Sequence, residues 1–284
     1  MKPAQTTELT SAANPRLRAA AALRDRRERD QTGRILIDGA RELLRALDAG
    51  VEVETIFVRA ALCRTEACRA LLGRLAPNDR RLVAVSETAF ARLSFGDRAE
   101  GVVGVAVRPG LDLAGLTLPA DPLLAVIEAV EKPGNLGAIL RSADGAGLDA
   151  LVAADARTDL FNPNAIRASL GTIFSMPLAA APTVEVLAWL RANGIRQLLA
   201  RVDGATLHTE TDLRGPLAIV LGSEATGLSE GWSGPDVLAV RLPMLGSADS
   251  LNVAAAAAVL FYEARRQRGI STSVRRPRRR PAHP

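Results

Sequence analysis

The stretch from Leu123 to Val130 constrains the fold most, because seven of its eight residues are apolar. A run of this length is typical of a strand that is buried on both faces of a parallel sheet. Helical and strand patterns alternate after it, which predicts a doubly wound parallel α/β sheet. The predicted helices are 135–147, 165–170, 184–192 and 252–268, and the predicted strands are 149–153, 195–201, 217–221 and 237–241.

A second block of alternating patterns precedes this one and predicts a smaller α/β domain. Its predicted strands are 34–37, 54–58, 81–85 and 101–107, with helices at 38–49, 65–75 and 87–93. Between the blocks, residues 108–122 contain three prolines and two glycines and lack apolar periodicity, as expected of a linker. The predicted organisation is a disordered N-terminus (1–13), a first domain (14–108), a linker (109–122), a second domain (123–269) and a basic disordered tail (270–284).

Positive charge is concentrated near both ends of the chain. Residues 14–45 contain nine arginines and five acids, and residues 265–284 contain eight arginines and no acid. This pattern fits the capture of a polyanion by guanidinium groups, although the tail fits a merely solvated segment equally well. Only nine residues are aromatic, so any RNA contact should depend on arginine more than on base stacking.

Cysteine and histidine are scarce, with only Cys63, Cys68, His208 and His283 in the chain. No zinc pattern can be assembled from them, and two cysteines in such a chain are expected to be reduced. The longest apolar run, 253–261, is much shorter than the roughly 20 residues of a membrane span, and no signal peptide is evident. We therefore expect a cytoplasmic protein with no metal and no membrane segment.

Three loops of the second block carry the candidate chemistry, since each follows a predicted strand or leads into a helix. The first, 131–143, reads Glu-Lys-Pro-Gly-Asn-Leu-Gly-Ala-Ile-Leu-Arg-Ser-Ala. It matches neither a dinucleotide fingerprint nor a phosphate loop. Asn135 is predicted to cap the following helix. Arg141 falls inside an apolar helix, where an unpaired guanidinium would be costly, and this favours a function.

The second loop, 222–229, reads Gly-Ser-Glu-Ala-Thr-Gly-Leu-Ser, and its glycines allow the backbone to approach a ligand closely. In the third, 241–254, Ser250 and Asn252 are natural caps for an alanine-rich helix. Taken alone, the second pattern is weak and the third is adequately explained by helix capping.

In order and wording, the three segments resemble the signature motifs of the SpoU (TrmH-like) RNA methyltransferases of the SPOUT class. The matching phrases are Asn-x-x-Gly-x-Ile-x-Arg-Ser-Ala, Gly-Ser-Glu-x-x-Gly-Leu-Ser and Pro-Met-x-Gly followed by Ser-Leu-Asn-Val. The segment Arg167–Gly171 is similar to a further family segment, and residues 35–105 resemble the family's N-terminal, ribosomal-protein-like substrate-binding domain. The resemblance spans roughly residues 14–268.

This resemblance implies a C-terminal SPOUT domain with a deep trefoil knot and a homodimer. It also implies that S-adenosylmethionine (AdoMet) is bound through the second and third loops. The cofactor-binding residues that it implies are Leu221, Gly222, Ser223, Leu242, Met244, Leu251 and Asn252.

The implied reaction transfers the AdoMet methyl group to a ribose 2′-hydroxyl of RNA, with 23S rRNA as the expected substrate. No histidine lies in these segments, and a guanidinium is a poor base, so we interpret Arg141 as gripping a phosphate and polarising the hydroxyl. Asn135, Glu224, Ser250 and Asn252 would order the catalytic pocket. RNA contacts are predicted for Arg141, Arg167, Lys132 and Arg41. Many family members carry an acid at the position of Lys132, which could equally be a solvated lysine.

Several alternatives remain open on the sequence alone. The substrate could be tRNA, and methylation could fall on a base. The chain could also be a catalytically silent RNA-binding protein with the same fold. A nucleotide-dependent oxidoreductase is disfavoured because the chain lacks Gly-x-Gly-x-x-Gly after its first buried strand.

Overall fold

The computed structural model describes residues 8–76, 78–94 and 100–269. The predicted tail (270–284) and the first seven residues lie outside the described residues. The helices are α1 Pro15–Ala22, α2 Arg26–Thr32, α3 Ala40–Asp48, α4 Glu66–Arg74, α5 Glu87–Leu93, α6 Pro133–Ala146, α7 Pro163–Ala168, α8 Thr172–Ser175, α9 Thr183–Ala192 and α10 Val253–Gln267. The strands are β1 Arg34–Asp38, β2 Val53–Val58, β3 Leu82–Ala84, β4 Val102–Val107, β5 Leu123–Glu128, β6 Ala150–Ala154, β7 Leu178–Ala181, β8 Arg196–Ala200, β9 Thr206–Leu207, β10 Leu217–Leu221 and β11 Val237–Arg241.

Two compact units divide the chain. Among the described residues, the first contains residues up to Pro109 together with Phe161–Ser175, and the second contains Gly110–Leu160 and residues from 176 onward. The predicted domain boundaries stay a prediction. The units differ from them in the linker, which belongs to the second unit from Gly110 onward, and in Phe161–Ser175, which joins the first unit through α7 against β1 and α8 against α3.

The second unit is built on a seven-stranded sheet in the order β7-β6-β5-β10-β8-β11-β9, and every pairing in it is parallel. Strands β5, β6 and β10 are buried along their whole length, as the apolar run at Leu123 predicts. Helix α9 and Trp232 contribute to the core on one face of this sheet. Because the strands are parallel, their carboxyl ends meet at one edge, where loops from several strands can build a single site.

The first unit carries a four-stranded sheet in the order β1-β4-β2-β3, in which β4 pairs antiparallel with both of its neighbours. Helices α1 and α5 pack over one of its faces, where Leu17, Leu23, Phe57 and Phe90 are buried. The α/β class of this unit agrees with the sequence pattern. Helices α1 and α2 were not predicted, because their arginines obscure the apolar periodicity.

The prediction of a disordered N-terminus is wrong for the described residues that precede α1. Leu9 forms a parallel bridge with Val85, donating its N–H to the Ala84 carbonyl at 2.9 Å and accepting from Ser86 N–H at 3.1 Å. Leu9 also packs against the core of the first unit. A short segment that lacks internal periodicity is thus ordered by pairing with a distant strand.

The predicted linker is also partly packed. Leu113, Leu116 and Leu118 lie against the core of the second unit, and Leu111 accepts a hydrogen bond from Ala180 N–H at 3.0 Å. These contacts explain why residues from Gly110 onward belong to the second unit. No helix of the part of the chain described here is long and apolar enough to cross a membrane.

Candidate active site

A cavity of about 660 Å³ opens at the carboxyl edge of the seven-stranded sheet. Three loops line it, and they follow β8, β10 and β11, which are neighbours around the middle of the sheet. The structure brings together on this cavity all of the residues that the motifs assign to the cofactor: Leu221, Gly222, Ser223, Leu242, Met244, Leu251 and Asn252. Glu224 and Ser250, two of the predicted catalytic residues, lie on the same wall.

The loop after β10 folds back on itself within a few residues. Ser223 and Gly227 exchange two backbone hydrogen bonds of 3.0 and 2.9 Å, and Gly227 has a φ of 68°, a conformation that favours glycine. A Cβ atom on Gly222 would lie 2.4 Å from the carbonyl carbon of Gly227. Glycine is therefore required at this point because two backbone segments cross, and the crossing shapes one wall of the cavity.

A network of hydrogen bonds joins the three motif loops beside this cavity. Glu224 Oε1 accepts from the side-chain amides of Asn135, at 2.7 Å, and Asn252, at 2.9 Å. Asn252 also donates to Asn135 Oδ1 at 3.2 Å, and Lys132 Nζ lies 3.0 Å from Glu224 Oε2. Residues at the start of α6, after β10 and at the start of α10 thus hold one another in place. The Glu224 carboxylate lies at the centre of this network, and both of its oxygens have partners.

Asn135 does not cap α6 as predicted. The helix begins at Pro133, with Lys132 at the N-cap position and no side-chain cap. Proline is favoured in the first turn because its fixed φ suits a helix and its missing N–H needs no partner there. Starting the helix two residues earlier places Asn135 in its first turn, where the side chain bridges Glu224 and Asn252.

Asn252 does cap α10, as predicted, because its Oδ1 accepts from Ala254 N–H at 3.0 Å. The side chain therefore serves two purposes. Its side-chain oxygen caps the helix, while its side-chain nitrogen donates to Glu224 and Asn135.

The environment predicted for Arg141 is wrong. The sequence places it in an apolar helix, but its side chain is exposed on α6, whose buried residues lie on the opposite side, at Leu136, Ile139, Leu140 and Ala143. Arg141 makes no hydrogen bond or ion pair with any described residue, and it is not among the residues that line the cavity. Because the guanidinium is exposed to solvent, burial gives no reason to assign it a function. Its proposed role depends on the motif resemblance alone.

Comparison with known proteins identifies the family of this chain. The model of the SpoU rRNA Methylase family matches residues 122–262, and a model named MRM3-like substrate binding domain matches residues 14–104. The chain belongs to the SpoU rRNA methylase family. Its resemblance to this family, predicted from the three motifs, is confirmed.

Individual relatives cover nearly the whole SpoU methylase chain. The 23S rRNA (uridine(2479)-2′-O)-methyltransferase of Streptomyces viridochromogenes is 33% identical over 260 residues, which cover 87% of this chain and 88% of that protein. A crystal structure of the SpoU methyltransferase AviRb from the same organism, in complex with AdoMet, is 30% identical with a TM-score of 0.81 and covers 90% and 98% of the two chains. A crystal structure of an RNA 2′-O ribose methyltransferase is 40% identical with a TM-score of 0.81 and covers 92% and 99%.

These similarities and the observed sheet confirm the predicted fold class, in which a parallel α/β methyltransferase fold is combined with an N-terminal substrate-binding domain. The trefoil knot stays a prediction. The roles assigned to individual site residues also stay predictions at this point.

Two of the predicted RNA-contact residues lie in the first unit of the SpoU methylase. Arg167, in α7, is partly buried and lies 3.1 Å from Asp38 Oδ2 at the end of β1. Arg41, in α3, is exposed and borders a separate cavity with Thr65, Glu66 and Glu100. The ion pair with Asp38 orients Arg167, whereas Arg41 presents its guanidinium to solvent.

Sequence reasoning missed two features of the second unit. Glu128, the single charged residue in the apolar run at Leu123, is 3% exposed and binds the loop after β10. Arg201 and Asp203, on the cavity wall after β8, form a bidentate pair with two 2.8 Å hydrogen bonds, and this pairing lowers the pKa of Asp203. Glu128 could have been found from the sequence, because it is the single charged residue in a buried strand. No sequence pattern indicates the pair formed by Arg201 and Asp203.

The cysteines of the SpoU methylase are free thiols, and Cys68 is buried. Burial raises the pKa of both thiols and thus disfavours the thiolate form. No group of three or more His, Cys, Asp or Glu side chains within the described ranges could hold a metal ion.

Asn252 both caps α10 and takes part in the Glu224 network, and a substitution can separate these two roles. Asn252→Asp keeps an oxygen for the helix cap but loses both donors and places a second carboxylate against Glu224. We expect methyl transfer to fall about tenfold or more, because the two hydrogen bonds that hold Asn135 and Glu224 to the start of α10 are lost. Thermal unfolding and initial methyl-transfer rates are the measurements.

Asn252→Ala is the matched variant, because it also loses the cap, and its unfolding free energy should drop by about a further 1 kcal/mol. Methyl transfer at the wild-type rate in Asn252→Asp would contradict the proposed importance of the network.

Proposed function

We propose that this protein transfers the methyl group of AdoMet to a ribose 2′-hydroxyl of 23S rRNA. The observation that carries the proposal is the junction of three motif loops by Asn135, Glu224 and Asn252 beside a cavity of cofactor size. The full-length relatives reported above, one of them bound to AdoMet, support the same chemistry. Because the Streptomyces relative is named for 23S rRNA, we favour rRNA over tRNA.

The cavity residues fit AdoMet. About 660 Å³ lies within the usual range of small-molecule sites, and Leu221, Leu242, Met244 and Leu251 offer an apolar surface to an adenosine. The charged groups on the wall are Arg201, Asp203, Glu224 and Asp249, so acids outnumber bases among the lining residues, as suits a cationic ligand. AdoMet supplies an electrophilic methyl group on a sulfonium sulfur.

Residues of this chain would position the ribose and its 2′-hydroxyl for methyl transfer. Binding both reactants in near-attack geometry can account for much of the acceleration of a methyl transfer. Arg141 would bind a phosphate next to the target ribose and polarise the 2′-hydroxyl. The hydroxyl proton would leave to solvent as the new O–C bond forms and the sulfur–methyl bond breaks, with S-adenosylhomocysteine as the leaving group. A guanidinium cannot itself accept this proton at neutral pH. Lys132, which is 72% exposed and paired with Glu224, would contact RNA from the same edge.

RNA capture would also use the exposed arginines of the first unit. Arg16, Arg18 and Arg92 are exposed there, Arg18 and Arg92 border one groove, and Arg41 is exposed on α3. Together with Arg167, they would bind phosphates and make RNA affinity strongly dependent on salt. We place the protein in the cytoplasm, because ribosomal RNA is its proposed substrate.

The test is to map ribose methylation in total RNA from cells with and without the gene. Loss of one 2′-O-methylated nucleotide of 23S rRNA, restored by the wild-type gene, is the expected result. A lost methyl group on a base, a lost site in tRNA, or an unchanged pattern would each contradict the proposal. The unchanged pattern is the outcome expected for a silent RNA-binding protein.

We further propose a homodimer that is formed through α10. Ala255, Val259 and Tyr262 are exposed at helical spacing on this helix, with Val259 42% and Tyr262 54% exposed. Tyr262 packs over Gly145 of α6, where a Cβ atom would lie 2.9 Å from the phenol oxygen. The two helices therefore form one partly apolar surface.

Sedimentation of Tyr262→Glu tests this surface. The wild type should sediment as a dimer and the variant as a monomer, because a buried, unpaired carboxylate is costly at an apolar interface. Val184→Glu is the matched control, since Val184 is apolar and 72% exposed but lies on α9. A monomeric wild type, or a Tyr262→Glu variant that remains dimeric, would contradict the proposed interface.

A further inference from the structure

Glu128 is a buried carboxylate at the carboxyl end of β5, the strand next to β10. Its hydrogen-bond partners, Thr183 and Ser229, come from elsewhere in the second unit. Its Oε1 accepts from Thr183 Oγ1 at 2.9 Å and from Ser229 Oγ at 2.7 Å, while its Oε2 accepts from Ser229 N–H at 2.7 Å. Both carboxylate oxygens are thus used, and neither points into the cofactor cavity, whose lining residues do not include Glu128.

Ser229 lies in the loop between β10 and β11, directly after the residues of that loop that line the cavity. The beginning of that loop is fixed by β10 itself, and its middle is closed by the backbone bonds between Ser223 and Gly227. The cavity is lined by the residues between these points, from Gly222 to Leu228 except Ala225. The position of Ser229 therefore decides whether the far end of the cavity wall is held in place.

Thr183 is the first residue of α9, a helix that packs into the core beneath the sheet. By binding Thr183 and Ser229 together, Glu128 joins this loop to two rigid elements, β5 and α9. Three hydrogen-bond donors meet on this one buried side chain, so the loop is fixed at Ser229, next to Leu228, which packs against the same core as α9.

We propose that Glu128 is a positioning residue for the cofactor: it holds the Gly222–Leu228 wall in the conformation that binds AdoMet, without touching AdoMet. The inference rests on the proposed function, because it takes AdoMet as the ligand of this wall. Part of the AdoMet affinity is thereby assigned to a buried residue at the end of β5, which lies outside the three sequence motifs.

The first test compares Glu128→Leu with Glu128→Gln. Leucine fills the space but accepts no hydrogen bond, so Ser229 is released. Glutamine can still accept from Ser229 N–H through its oxygen and donate to the two hydroxyls through its nitrogen. We expect the Kd for AdoMet to rise about tenfold or more in Glu128→Leu and to stay within about threefold of wild type in Glu128→Gln, as hydrogen-bond geometry rather than charge would predict.

Steady-state kinetics and hydrogen exchange separate positioning from general damage. In Glu128→Leu the KM for AdoMet should rise while kcat at saturating AdoMet changes little, and faster amide exchange should be confined to residues 222–229. Glu185→Gln is the matched control, because Glu185 is an exposed acid on α9 and lies outside the three motif loops. It should change none of these quantities.

Ser229→Ala keeps the proposal testable if Glu128→Leu fails to fold. It retains the backbone N–H bond and loses only the hydroxyl, so the Kd for AdoMet should rise about threefold, and Ser229→Thr should restore it. Wild-type affinity in both Glu128→Leu and Ser229→Ala would overturn the proposal. If the wild-type protein itself does not bind AdoMet, the proposed function fails, and the two failures are thereby distinguishable.

Discussion

Arg141→Ala is expected to lower kcat for methyl transfer by about a hundredfold or more, the usual effect of removing a group that stabilises charge in a transition state. Its Kd for AdoMet should remain at the wild-type value, because Arg141 does not line the cofactor cavity. The fold should also be unaffected, since the side chain is exposed on α6. Titration of AdoMet and single-turnover methylation of rRNA measure the two quantities separately.

Two further variants sharpen the test of Arg141. Arg141→Lys keeps the positive charge but loses the planar fork that grips a phosphate, so partial activity is expected. Arg214→Ala removes an arginine that is 68% exposed and pairs with Asp212, and it should leave kcat unchanged. Near-normal turnover in Arg141→Ala with intact AdoMet binding would show that this guanidinium has no catalytic role.

Gly222→Ala is expected to abolish measurable AdoMet binding, with a rise in Kd of about a hundredfold or more. The added Cβ atom would lie 2.4 Å from the carbonyl carbon of Gly227 and 2.6 Å from Leu228 N, and backbone atoms cannot move aside as a flexible side chain can. The crossing must therefore open, which displaces the wall of the cavity. Overpacking of this kind also destabilises the fold by about 1–3 kcal/mol.

Gly73→Ala provides the control for Gly222→Ala. Gly73 lies within α4, and a Cβ atom there would meet nothing within 4 Å. This variant should bind AdoMet normally and be slightly more stable than wild type, by up to about 1 kcal/mol. If Gly222→Ala bound AdoMet as tightly as Gly73→Ala does, the loop after β10 would not be the cofactor wall.

The parts of the site that were predicted lie in loops that follow strands, and their roles come from the resemblance of those loops to the SpoU motifs. In a parallel sheet the carboxyl ends of strands meet, so loops after separate strands are brought together whatever the details of packing. The resemblance to the SpoU motifs implied that the residues from Leu221 to Ser223 and from Leu242 to Asn252 bind one cofactor, and this topology explains why they line one cavity. The buried strand at Leu123 was predictable because its apolar pattern is strong.

The parts that the sequence did not predict depend on partners far away in the chain. Glu128 and Ser229 are 101 residues apart, so their contact leaves no local pattern. The exposure of Arg141 depends on which face of α6 is covered, and the composition of that helix does not specify this. Similarly, Phe161–Ser175 packs with the first unit through contacts with β1 and α3 that its own sequence does not reveal.

The most direct test of the central claim is an equilibrium titration of AdoMet into the purified protein, using the wild type, Gly222→Ala and Arg141→Ala. The account predicts one AdoMet bound per chain in the wild type, the same affinity in Arg141→Ala, and no measurable binding in Gly222→Ala. A folded wild-type protein that takes up no AdoMet would contradict it.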